Sequence, residues 1–428
     1  MLSSTPEAAL LDRWLCFAGP KGPDNAAIHS IGEWVSLTPH LIAKSVPVRW
    51  AATCLLDSIQ AFVKRGDQNH ATAVESNAKA LQCIRNGLGS SKSRPCKSDV
   101  MLAIKLLFVA EIFIDSDAGN YYRHMKGLND ILCDAFRQQS AYDEACQQIF
   151  YGNILGECIA AMRSGHDSKF YGSSWFDMSP PKTLVPGCPN FESAMKLVMQ
   201  LQIEMTHFIR IVRETGERPN DNTVRQEAIE LATKLYQLNL ESLINELIAT
   251  SMLEIISSSM TEVKLLFATS YTFSSTRIFN LVLNYWICRV LICGGIEILY
   301  SFLHFDEQRL NLATVQQHDV RTAEEIVMCF EYAYTYESQL CIMAMRFIMP
   351  LQTAFGAWHR LEKRALGYEY KEEDAQRAME MKKWCISMCN KMGALFGQGR
   401  AMCAFEEMKT ETLAGGPLFF GGILRPED

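Results

Sequence analysis

Apolar side chains return at intervals of three and four residues along almost the whole of this chain, and that periodicity constrains its fold more than any other feature. Positions so spaced share one face of an α-helix, whereas a strand needs strict alternation. Met381, Cys385, Met388, Met392 and Leu395 make one such stripe. Val224, Ala228, Leu231, Leu235 and Leu238 make another, with Arg225, Glu227, Glu230 and Lys234 on other faces. Val74, Ala78, Leu81, Ile84 and Leu88 read as a third, and Val100 to Ile114 is apolar on almost every side, as a central buried helix would be. Stretches of alternating polarity long enough for a sheet are hard to find. The expectation is an all-α protein: one large helical array, or two helical halves sharing one core.

Breaks in the periodicity suggest where those halves meet. Residues 166–189 are the longest irregular stretch and hold Pro180-Pro181, Pro186-Gly187 and Pro189. Connections that long are uncommon inside a compact unit. They divide the chain into 1–165 and 190–412, with a glycine-rich tail over 413–428. Gly19 to Asn25 and Asn86 to Asp99 read as loops, and Glu214 to Asn222 as a solvated turn before a helix. Pro350 interrupts an apolar run, because proline lacks an N–H and clashes with the preceding turn.

Composition removes several function classes. The net charge is −7, and Lys92, Arg94 and Lys97 are the nearest approach to a basic run, too sparse for direct nucleic-acid binding. The fifteen cysteines contain no Cys-x-x-Cys pair, so neither a zinc ribbon nor a thioredoxin-like site is expected, and no metal or cofactor is. Cys54, Cys133, Cys158, Cys288 and Cys341 lie in apolar surroundings and read as small hydrophobes of a reducing compartment. The start of the chain lacks a secretory leader, and no Asn-x-Ser/Thr sequon occurs, which points to a nuclear or cytoplasmic protein that is not secreted. Ile278 to Leu303 is long and apolar enough to cross a membrane, but Asn280, Asn284, Arg289 and Glu297 are costly in lipid. A buried core helix, interrupted at Gly294-Gly295, is expected instead, with no membrane partner.

Motifs that would carry chemistry fail one by one. Asp115 to Asn120 begins like a calcium loop, but Lys126 stands where a bidentate glutamate belongs. His166-Asp167, His318-Asp319 and His304-Phe305-Asp306 set carboxylates beside histidines at expected helix ends, where both residue types serve as caps. No nucleophile elbow, P-loop or dinucleotide fingerprint is present. Arg289, in the apolar run Asn284 to Ile292, must find a carboxylate or carbonyl if buried. It reads either as a helix-packing clamp or as an anion-binding group in a ligand cavity. Trp286, Trp358 and Trp384, with the methionines between Met343 and Met349, could line such a cavity or be plain core.

Four segments carry a family resemblance. NYWICRVLI (Asn284 to Ile292) resembles the Asn-x-aromatic-x-x-Arg-apolar helix in the regulatory domain of fungal zinc-cluster transcription factors. IMPLQTAFGAWHR (Ile348 to Arg360), with the Trp384 helix after it, looks like that domain's C-terminal Pro-Leu segment. YYRHMKGLNDIL (Tyr121 to Leu132) and VPVRWAATCLLDSIQAF (Val46 to Phe62) are similar to its earlier helices, so the resemblance runs the length of the chain in order. Where the family often has a second arginine in the Arg289 helix, this chain has Ile287. The family's six-cysteine zinc module, built on two Cys-x-x-Cys pairs, has no counterpart here.

The resemblance implies a regulatory protein without its own DNA-binding module. It would act through protein partners, a full-length zinc-cluster factor or a second copy of itself, with a small apolar metabolite as a ligand held by Arg289, Trp286 and Trp358. The alternative is a cofactor-free cyclase or isomerase of fungal secondary metabolism built on the same domain, with His207, Tyr300, His304 and His359 as candidate catalytic groups beside Arg289. A third reading places the zinc module upstream of the sequence in hand.

Overall fold

The computed structural model describes residues 5–18, 28, 31–64, 67–89, 98–114, 118–137, 144–172, 188–238, 241–256, 266–306, 308–335, 347–367 and 371–396. Of these residues 83% are helical, so the chain is all-α as its periodicity requires. The tail, the prolines at 180, 181 and 186, Cys341, the basic residues at 92–97 and the first half of the calcium-like stretch lie outside the described residues.

Helices α1 (Pro6–Ala18), α2 (Thr38–Ile42), α3 (Val46–Lys64), α4 (Asp67–Gly89) and α5 (Ser98–Ile114) open the fold, and α3 packs against both α4 and α5. Helix α5 is buried almost all round, as its composition demands. Its two buried charges are housed: Lys105 Nζ donates to Asn153 Oδ1 at 2.9 Å, and Glu111 pairs with His124 at 2.9 Å. His124 belongs to α6 (Ala118–Arg137), and α7 (Glu144–Tyr151) and α8 (Ile154–Ser164) follow. Helix α9 (Phe191–Glu217) joins the two parts of the fold, lying against α8 and also against α10 (Asn222–Gln237) and α12 (Thr276–Tyr300).

Between α11 (Glu241–Ser251) and α12 sits a two-stranded antiparallel sheet, β1 (Met252–Ile256) and β2 (Thr269–Phe273), with Met252 opposite Phe273. The chain closes with α13 (Leu312–Met328), α14 (Phe330–Thr335), α15 (Ile348–Ala365) and α16 (Glu372–Phe396). One cluster of buried apolar side chains runs from Leu10 to Met392.

Local signals place the helix starts. The Asp221 side chain accepts from the N–H groups of Thr223 and Val224 at 3.0 and 3.3 Å, so the turn expected over Glu214–Asn222 does end in a capped helix, but it spans only 218–221 because α9 runs on to Glu217. Asn311 caps α13 through Thr314 N–H at 3.0 Å. Pro350 stands in the first turn of α15, where its missing N–H would have had no partner.

Two expectations need correction. Gly294-Gly295 do not interrupt the apolar helix, because α12 runs unbroken from Thr276 to Tyr300, most of it buried in the fold. The stripe assigned to α4 is out of phase: Ala73, Ser76, Ala80 and Ile84 are buried, whereas Val74 and Leu88 are exposed. The small residues win that face because α4 lies close to its neighbours; a Cβ at Gly87 would come within 3.1 Å of Val100 Cγ2. On α16 the phase is right, with Met381, Cys385, Met388 and Met392 all buried.

Candidate functional site

Polar side chains collect where α10, α12, α13 and α15 meet. Arg289 projects from α12 to the end of α10, donating from Nη1 to the Tyr236 carbonyl at 3.0 Å with its guanidinium 4.8 Å from the centre of the Tyr236 ring. That carbonyl is among the last of α10, which no later turn of the helix can satisfy, so a cation there serves both hydrogen bond and helix dipole. Arg289 therefore clamps two helices. The Tyr236 hydroxyl lies 2.7 Å from His318 Nδ1, the two rings stacked at 5.9 Å.

The next residue, Asp319, is fully buried in the middle of α13, not at a helix end. It meets Arg360 of α15 in a two-pronged pair, Nε to Oδ2 at 2.8 Å and Nη2 to Oδ1 at 2.7 Å. Burial lowers the Arg360 pKa, but the Asp319 charge outweighs it and holds the guanidinium above its ordinary range. Gly294 makes the room, since a Cβ there would stand 2.7 Å from Arg360 Nη1. Glu297, one turn on, pairs with Arg364 at 2.5 Å. Sequence reasoning missed Arg360 although it ends the Pro-Leu segment; the available signal was the glycine pair inside an otherwise bulky helix.

His207 centres a second cluster, on α9. Its Nδ1 is 3.1 Å from Asp167 Oδ1 and its Nε2 is 3.0 Å from Glu227 Oε1. Arg210 donates from Nε to the same Asp167 oxygen at 2.8 Å and lies 3.0 Å from His207 Nδ1 through Nη2. The Tyr171 ring stacks on the imidazole at 4.4 Å. Burial raises Asp167, yet the hydrogen bonds from Arg210 and His207 prevail and leave its carboxyl below the ordinary range. The histidine that Asp167 meets is thus His207, forty positions away, and not its neighbour His166. Together these contacts tie the segment after α8 and α10 to α9.

The other expected residues stand apart from both clusters. His359 faces α16, its Nδ1 3.4 Å from Lys382 Nζ, and Lys382 reaches Glu362 at 2.5 Å. Burial and the Lys382 charge push the His359 pKa down to about 4, so the ring is neutral near pH 7. The Tyr300 hydroxyl donates to the Leu310 carbonyl and its ring stacks on Phe305 at 4.6 Å. His304 is exposed on the segment after α12. Trp286 packs 6.5 Å from Tyr271, and Trp358 is wholly enclosed in the core. Cys54 and Cys293 are poor nucleophiles for an equally local reason: burial pushes their thiols up to about 12.

A cleft of 530 Å³ opens beside the Arg360 cluster, between α13 and the corner of α15 and α16. None of the residues expected from the sequence to bind or catalyse lines it. Among the described residues no group of three His, Cys, Asp or Glu side chains is arranged to hold a metal ion. No known family profile, curated protein or solved structure matches the chain.

Proposed function

We propose that this chain is a non-enzymatic regulatory domain of the zinc-cluster-factor type, working through contacts with other proteins. One observation supports the reading above the rest: the candidate groups are spread over separate helix junctions, where most of them serve as fasteners. Arg289 clamps α12 to α10, His207 joins α9 to α10, His359 sits under α16, and Tyr300 closes the segment after its own helix. General acid–base work needs its groups within hydrogen-bond reach of one substrate. The segments that resemble the family are here packing elements: the Arg289 helix is buried nearly throughout, and the Pro350 helix brings Arg360 onto it. The partner is a second copy or a zinc-cluster factor that brings the DNA-reading module.

Tethering tests this. Fused to an unrelated DNA-binding module at a reporter promoter, the full chain is expected to change transcription several-fold. An abundant, nuclear fusion that leaves the reporter unchanged counts against the proposal. The cyclase or isomerase reading keeps one point in its favour, the convergence of His207, Asp167, Glu227 and Arg210 around the Tyr171 ring. Native mass spectrometry of the purified chain addresses it: a retained molecule that changes mass on incubation would favour catalysis, and His207→Asn should then abolish the change.

A further inference from the structure

The cleft beside α13 is charged in a way that the fold does not use. Its 530 Å³ falls in the range of small-molecule sites, about 300–1,000 Å³, but such sites are mostly apolar. Here Val320 and Leu361 are the apolar side chains among Gln316, Gln317, Arg321, Glu324, Arg364, Lys371 and Asp374. Two of the charges are answered by residues outside the cleft, Arg364 by Glu297 and Glu324 by Arg377.

The rest face the opening. Arg321 is 76% exposed, and its nearest carboxylate, Glu325, stands 3.9 Å away. Lys371, immediately before α16, pairs with no carboxylate among the described residues, and Asp374 with no cation. The side-chain amides of Gln316 and Gln317 hydrogen-bond to nothing among the described residues. Gln316, Gln317, Val320, Arg321 and Glu324 follow the helical repeat, so α13 turns one face to the cleft. Lys371, unanswered, and Arg321, held only by the long, exposed contact to Glu325, stand against one unanswered carboxylate; with two idle amides they match a solute that is anionic at one end and hydrogen-bonding at the other.

We infer that this cleft binds a small carboxylate- or phosphate-bearing solute, its anionic group held by Arg321 and Lys371 and its polar body by Gln316, Gln317 and Asp374. The inference goes beyond the regulatory reading and does not depend on it, because a regulator or an enzyme could use the same cleft. Its lining is unsuited to the apolar metabolite that the sequence suggested.

Calorimetric titration of the full chain with sodium succinate and, separately, sodium phosphate, at ionic strength matched with sodium chloride, tests the site. Saturable binding of at least one of them in the millimolar range or tighter is expected. Succinate alone would identify a carboxylate ligand and phosphate alone a phosphorylated one. The double variant Arg321→Ala, Lys371→Ala should weaken binding at least tenfold without moving the unfolding midpoint, since both side chains lie on the surface. Arg321→Lys should retain most of it. No saturable binding of either anion, or equal binding by the double variant, would overturn the inference.

Discussion

The Arg360–Asp319 pair and the His207 cluster use similar side chains to do the same job, fastening helices, but they do it under opposite solvent conditions. Asp319 and Arg360 have side chains 1% and 10% exposed, whereas Asp167 and Glu227 are 31% and 44% exposed. Buried charge is tolerated only when its hydrogen bonds are complete. The deep pair is accordingly two-pronged, and α12 gives up a side chain at Gly294 to admit it. In the shallow cluster one Asp167 oxygen serves both His207 and Arg210, and water can complete what they leave. Burial, more than residue type, decides how exacting a polar junction must be.

Four experiments can break that contrast or sharpen it, and the largest effect belongs to the deep pair. Asp319→Ala strands a buried guanidinium and should cost about 3–5 kcal/mol in urea unfolding. A loss near that of a surface pair would mean that Arg360 is not held as described. Gly294→Ala pushes a methyl group against Arg360 and should cost about 1–3 kcal/mol. In an Arg360→Met, Asp319→Leu background the same change should cost much less, a coupling that a double-mutant cycle measures.

His359 lies between the extremes. Its folded pKa of about 4 is below the ordinary 6.5, so on acidification the unfolded chain takes the proton first. Its contribution is intact above pH 6.5 and falls as the pH drops to about 4, by on the order of 1–2 kcal/mol after allowing for partial exposure. His359→Gln should flatten that part of the stability profile. The smallest effect is expected at Asp167. Its lowered pKa means the contribution is full above the ordinary 3.8 and lost as the pH falls through the folded value. Asp167→Asn should remove that acid limb and cost under about 1 kcal/mol at neutral pH. A loss as large as that of Asp319→Ala would erase the contrast.

Much of the architecture was legible because helix periodicity is a local property. The stripe on α16 and the break at Pro350, where α15 begins, follow from residues within a turn or two of one another. Local reading failed where a neighbour decides. The apolar side chains of α4 predicted the wrong face because close approach to α3 and α5 favours Ala73, Ser76 and Ala80 there. Asp319 looked like a cap beside His318 until Arg360, forty-one positions on, turned it into the anion of a core pair. Asp167 read as a helix-end cap beside His166 and is the partner of His207. Pairing of this kind is set by which helices touch, and no spacing in the chain encodes that directly.

By itself, then, the sequence determined an almost wholly helical chain, the break at Pro350, and the absence of the usual catalytic and zinc-binding motifs. Those properties depend on covalent geometry and on neighbours within a turn. Only the tertiary structure decided that Gly294 is a seat for Arg360, that Arg289 caps α10, and that the exposed cations Arg321 and Lys371 share one cleft. The reason is electrostatic: what a charge does is set by the groups within a few ångströms of it and by the water it has lost, and both come from helices distant in the chain.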